Sequence, residues 1–143
     1  MNWLAIALLT AVFFGLYNFF IKVSSGNIHE ILGAVILQAV ALLLGCALLI
    51  YLKQTGDQFS FSSKGILYAV LAGLAVGVAE ILTFMVFEKG IAVSIATPVI
   101  IGSSVVVSSV LGILFLRETI SLIQLFALAL IAGGIMLLAF SSK

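Results

Sequence analysis

Apolar residues fill five long stretches of this chain, and short polar clusters separate them. The stretches run over residues 3–23, 30–52, 65–87, 91–116 and 120–140. Each is about 20 residues or longer, the length an α-helix needs to cross a hydrocarbon core of about 30 Å. A segment inside a bilayer must satisfy its backbone hydrogen bonds without water, which leaves only helices or a closed barrel. The barrel signature, stretches of about 10 residues that alternate apolar and polar, is absent. The pattern therefore predicts an all-α membrane protein of five transmembrane helices, with residues 1–143 forming one domain. The first stretch lacks a positively charged leader, is longer than a signal-peptide core and is followed by no small-residue cleavage site, so it reads as a retained helix.

The connections set how neighbouring helices meet. The longest, KQTGDQFSFSSK over residues 53–64, carries the Gly, Ser, Asp and Gln of a solvated loop. SSGNIHE after Lys22 is a tight polar turn, and its His29 and Glu30 read as an exposed interfacial pair. EKG at 88–90 and RET at 117–119 are minimal turns. Links this short make consecutive helices antiparallel and predict that they pack side by side.

Hydrophobic residues make up 64% of the chain and charged ones 8%, against roughly 25% charged in soluble domains. The 6 basic residues are scattered, which argues against nucleic-acid binding. Cys46, alone in mid-span, gives no disulfide within the chain and reads as a small packing residue. There is no H-E-x-x-H motif and no paired intramembrane Asp, and the lone His sits at an interface. The expectation is therefore no enzyme, no metal and no cofactor.

Charge bears on orientation. Five spans place the termini on opposite sides. One side carries Lys53, Lys64 and Arg117, and the other carries Lys22, Lys89 and Lys143. Orientation follows the Lys/Arg excess that faces the cytoplasm, and here there is none. Either something uncounted breaks the tie, such as a membrane-embedded Lys22 or the free amino terminus, or the chain inserts both ways and pairs as an antiparallel homodimer.

Helices in lipid associate through small residues and a few polar contacts. In the third stretch Gly73 and Gly77 form a G-x-x-x-G pair, continued by Glu80, Thr83 and Phe84. The first has Ala11, Gly15, Asn18 and Lys22; the second has Ala34, Gln38, Ala41 and Gly45. The fourth has Ser104, Ser108 and Gly112, with Thr97 and Pro98 a turn or two earlier. The fifth is aliphatic apart from Gln124, Gly133 and Gly134. Helices one to four therefore read as interior-facing and helix five as peripheral. Gly73 and Gly77 are expected to mark helix packing, and Pro98 a kink or broken turn of the kind that borders cavities. Lys22, at a helix end, is expected to extend its ammonium to the interface.

Glu80 is the one carboxylate well inside a stretch, about 12 Å from Glu88 along a helix. An ionised acid at such depth costs about 2.5–3.5 kcal/mol, so intramembrane acids are usually functional. This one could load and lose a proton near neutral pH. Asn18 lies about 6 Å in from Lys22, Gln38 about 12 Å in from Glu30, and Thr97 about 10 Å in from Gly90. Together with Tyr17 they share the level of Glu80, among Phe13, Phe14 and Phe84. Such a belt suits a moderately apolar solute, and Ser104 completes the candidate binding set. The alternative is a structural acid, neutral and hydrogen-bonded to Asn18 or Gln38.

The stretch WLAIALLTAVFFGLYNFFIK, the block IAVSIATPVIIGSSVVVSSVLGILFLRETISLIQ and the ending ALALIAGGIMLL resemble the EamA-type domain of the drug/metabolite transporter superfamily. The resemblance covers essentially the whole chain. Full-length members carry two such domains in inverted orientation, so it is similar to the short, single-domain bacterial and archaeal members. The resemblance implies half of an inverted-repeat transporter bundle in a prokaryotic inner or plasma membrane, completed by an inverted second copy. It implies export or exchange of small organic solutes such as metabolites or drugs, through a cavity lined mainly by helices one, three and four of each half. A non-transporting membrane subunit, or half of a heteromeric transporter, is the competing expectation.

Overall fold

A computed structural model describes residues 2–57 and 59–141. Lys143, counted in the charge balance, lies outside the described residues. Five helices follow one another: α1 Trp3–Ser24, α2 Glu30–Gln54, α3 Ser63–Glu88, α4 Val93–Leu116 and α5 Leu122–Ser141. All five are long and apolar enough to cross a membrane.

Capping explains where the helices depart from the hydrophobic stretches. α3 begins two residues earlier than the apolar run because the Ser62 hydroxyl accepts the Gly65 N–H at 3.0 Å. α5 begins two residues later because Ser121 and Gln124 cap each other. The Gln124 N–H donates to Ser121 Oγ at 3.2 Å, and the Ser121 N–H donates to Gln124 Oε1 at 2.7 Å. This reciprocal box satisfies two N–H groups that a helix start leaves unpaired. Pro98, expected at a kink or broken turn, lies inside α4, which continues on both sides of it. The proline removes the hydrogen bond that the Ser94 carbonyl would have accepted, and its ring crowds that carbonyl.

The chain divides into two compact units, Met1–Gly90 and Ile91–Lys143. In the first, α3 packs against both α2 and α1. α2 lies antiparallel to α3, with Gly33 against Phe84 and Gln38 beside Gly77. α1 runs parallel to α3, with Tyr17 at Glu80 and Lys22 at Phe87. α1 and α2 depart from the expected side-by-side packing: although the 25–29 turn joins them, a groove separates them. Phe84 reaches across from α3 to form its floor.

The buried residues of this unit are Asn18, Ile21, Gly33, Ala34, Glu80, Thr83, Phe84 and Phe87. All sit toward the end that holds the α1–α2 turn. At the other end the small-residue seams have no neighbour: a Cβ on Gly15, Gly45 or Gly73 would meet nothing within 4 Å. The G-x-x-x-G pair of α3 is thus split. A Cβ on Gly77 would lie 3.7 Å from the Gln38 amide, whereas one on Gly73 would meet nothing within 4 Å.

In the second unit α4 and α5 pack as an antiparallel pair. A Cβ on Gly102 would lie 2.8 Å from Ile135 Cδ1. The Glu118 N–H caps the end of α4 on the Gly112 carbonyl at 3.2 Å. α5 contributes no buried residue.

Candidate functional site

Inside a bilayer a polar side chain has few partners, and the carbonyl one turn back on its own helix is the nearest. Two of the buried polar residues use it. The Asn18 amide donates to the Phe14 carbonyl at 2.8 Å, and the Thr83 hydroxyl donates to the Ala79 carbonyl at 2.8 Å. A carboxylate cannot do this, because it only accepts. Glu80 needs a donor from elsewhere, and the Tyr17 hydroxyl of α1 supplies it, donating to Glu80 Oε2. The Tyr17 ring is held by an edge-to-face contact with Phe14 at 6.0 Å.

The structure therefore joins two of the candidates chosen from sequence, Tyr17 and Glu80, in one contact between α1 and α3. Asn18 is buried one residue along but turned to its own helix. Gln38 is exposed, with its amide against Gly77. Thr97 and Ser104 belong to α4 in the second unit. Ser104 donates to the Ile101 carbonyl at 2.7 Å, and Thr97 Oγ1 is buried with no hydrogen-bond partner. Phe84 lines the groove, and Phe13 and Phe14 border a smaller hollow on α1 with Tyr17.

The groove between α1 and α2 has a volume of about 420 Å³, within the range of small-molecule sites. Its walls are apolar and aromatic, with Tyr17, Phe20 and Phe84 providing rings. Tyr17 connects this space to the buried acid behind it: its ring faces the groove, and its hydroxyl holds Glu80.

Lys22 reaches the C-terminal end of α3. Its ammonium donates to the Phe87 carbonyl at 2.9 Å and lies 5.8 Å from the centre of the Phe87 ring. The same carbonyl accepts the Gly90 N–H at 3.1 Å, which Gly90 can present because its φ is +84°, a left-handed turn favouring glycine. A cation at a helix C-terminus interacts favourably with the end carbonyls, so Lys22 clamps the end of α1 to the end of α3. Lys22→Met keeps the aliphatic stem and removes the charged donor. It is expected to lower stability by about 1 kcal/mol, seen as a lower thermal midpoint of the detergent-purified protein.

His29 is exposed and Glu30 half-buried, their side chains 3.7 Å apart. His29 also caps α2, its Nδ1 accepting the Ile31 N–H at 3.3 Å. No cluster that could hold a metal ion occurs among the described residues. Sequence reasoning missed Gly33, where Phe84 crosses, and the clamp at Lys22. The Gly33–Ala34 pair of small residues was the available signal for the first.

Five helices, each long and apolar enough to span a bilayer, make this a multi-pass membrane protein. The chain belongs to the EamA-like transporter family, whose profile matches residues 1–140; it is a membrane transporter of the drug/metabolite kind. It is 33% identical over 138 residues to an uncharacterized protein of Methanocaldococcus jannaschii, covering 96% of each chain. It is 30% identical over 138 residues to a Sinorhizobium sp. protein described as an uncharacterized transporter in the cobO 3′ region, again over 96% of each. No solved structure matches it significantly.

Proposed function

We propose that the chain is a single five-helix domain of a prokaryotic cell-membrane secondary transporter, moving small organic solutes by alternating access. Two copies of opposite orientation enclose a midplane site. The observation that carries this reading is the Tyr17–Glu80 hydrogen bond at the wall of the groove. An acid kept at membrane depth is costly to ionise, and here it sits one side chain away from a space of solute size. Protonation of Glu80 shifts the balance between inward- and outward-open forms. Asn18, Gln38, Thr97 and Ser104 supply polar contacts to the solute as the helices rearrange.

The antiparallel pair is supported by the balance of three positive charges on each side. The seams at Gly15, Gly45 and Gly73, unfilled within the first unit, also support it, since small residues are what close helix packing in lipid uses. Reporters fused to the C-terminus test the pairing. The chain is expected to show activity on both faces of the membrane, and two Lys added within residues 53–64 should drive it to one orientation and abolish uptake. Reporter signal from one face only, with a monomer in detergent, removes the antiparallel pair.

A further inference from the structure

The groove and the buried acid also bear on the charge of the solute. Among the charged side chains of the first unit, Glu80 alone is buried. No basic side chain lines the groove. The nearest cation along α1, Lys22, is committed to the Phe87 carbonyl. An anionic solute would meet no counter-charge there and a carboxyl one side chain away.

A cation meets the reverse. The rings of Tyr17, Phe20 and Phe84 line the space, and aromatic faces attract ammonium groups, more strongly where water is excluded. Once the Tyr17 hydroxyl gives up Glu80, the carboxylate is the one strong acceptor within reach. We propose that this site takes a lipophilic amine, an alkyl- or arylammonium ion whose apolar body fills the groove and whose charged head replaces the Tyr17 hydroxyl on Glu80. This inference rests on the transporter reading for its physiological role but concerns binding alone. Tyr17 acts as a cover: its hydroxyl satisfies the acid when the groove is empty and releases it when an ammonium arrives.

The test compares three probes of nearly equal size on the detergent-purified protein at neutral pH: 2-phenylethylamine, 2-phenylethanol and phenylacetate. The amine should bind on the order of tenfold or more tighter than either analogue, the advantage of a desolvated cation over aromatic faces beside a carboxylate. Glu80→Gln should erase that preference, and a thermal midpoint in detergent close to that of the wild type shows that the variant is folded. Tyr17→Phe keeps the ring and removes the competing hydroxyl, so it should bind the amine at least as tightly as the wild type. Equal binding of the three probes to the wild type, a preference for phenylacetate, or an amine preference that survives Glu80→Gln overturns the proposal. Flux in proteoliposomes separates the two readings. An amine preference with no flux of any probe keeps this site and removes transport, whereas Glu80-dependent flux of phenylacetate without amine binding keeps transport and removes this site.

Discussion

Glu80→Gln is expected to remove pH-driven uptake, reducing it on the order of a hundredfold in proteoliposomes given a pH step. Gln has nearly the shape of Glu, and its amide oxygen can still accept from Tyr17, so the α1–α3 contact persists. What disappears is the exchangeable proton and the charge. Ionising an acid at this depth costs about 2.5–3.5 kcal/mol, and each 1.4 kcal/mol corresponds to a factor of ten. That cost is the lever by which a proton can change which form of the transporter prevails. Uptake and pH response equal to the wild type would leave Glu80 a structural group. Tyr17→Phe serves as a comparison, since it disrupts the same hydrogen bond yet keeps the titrating group, and should retain pH-driven uptake.

Gly33→Leu is expected to be the most damaging single change to the first unit. A Cβ at position 33 would lie 2.6 Å from Phe84 Cε1 and 2.7 Å from Cζ, closer than carbon atoms approach. Phe84 is only 3% exposed, so the ring has little room to yield, and it forms the groove floor. Overpacking of this kind costs about 1–3 kcal/mol, which Gly33→Ala should already approach and Leu exceed. The double variant Gly33→Ala with Phe84→Leu should recover part of the loss, because the two residues share one contact. Gly45→Ala is the control: nothing lies within 4 Å of a Cβ there, and alanine is the better helix former. Thermal midpoints in detergent rank the four variants against the wild type. A Gly33→Ala midpoint equal to the wild type would mean that Phe84 moves freely.

The helices were legible in the sequence because length and hydropathy alone decide what can cross a bilayer. Their ends were less so. The Ser121–Gln124 box moved the start of α5, and the Ser62 cap moved that of α3, since hydropathy averages over caps made by single side chains. At the site, the depth of Glu80 was readable from its spacing to Glu88, and Tyr17 stood at the right level. The choice among donors was not readable. Asn18 has a carbonyl one turn back to bond and takes it, which leaves the tyrosine as the donor for the acid. Depth arithmetic gives level but not azimuth, so it placed Asn18, Gln38 and Tyr17 equally near Glu80. The small-residue seams were visible as patterns, but only Gly77 met a neighbour where Gly73 did not. A glycine pattern shows where another helix can approach, not whether one from the same unit does.

The clamp at Lys22 gives the first unit a mechanical asymmetry. α1 and α3 are stitched at one tip by the Phe87 carbonyl, while α1 before Tyr17 and α3 before Gly77 are exposed along their whole lengths. Two rods fastened at one tip swing like tongs, with small displacement at the fulcrum and large displacement at the free jaws. The Tyr17–Glu80 contact lies just inside that fulcrum, where displacement is small, so the free jaws can part while this hydrogen bond holds.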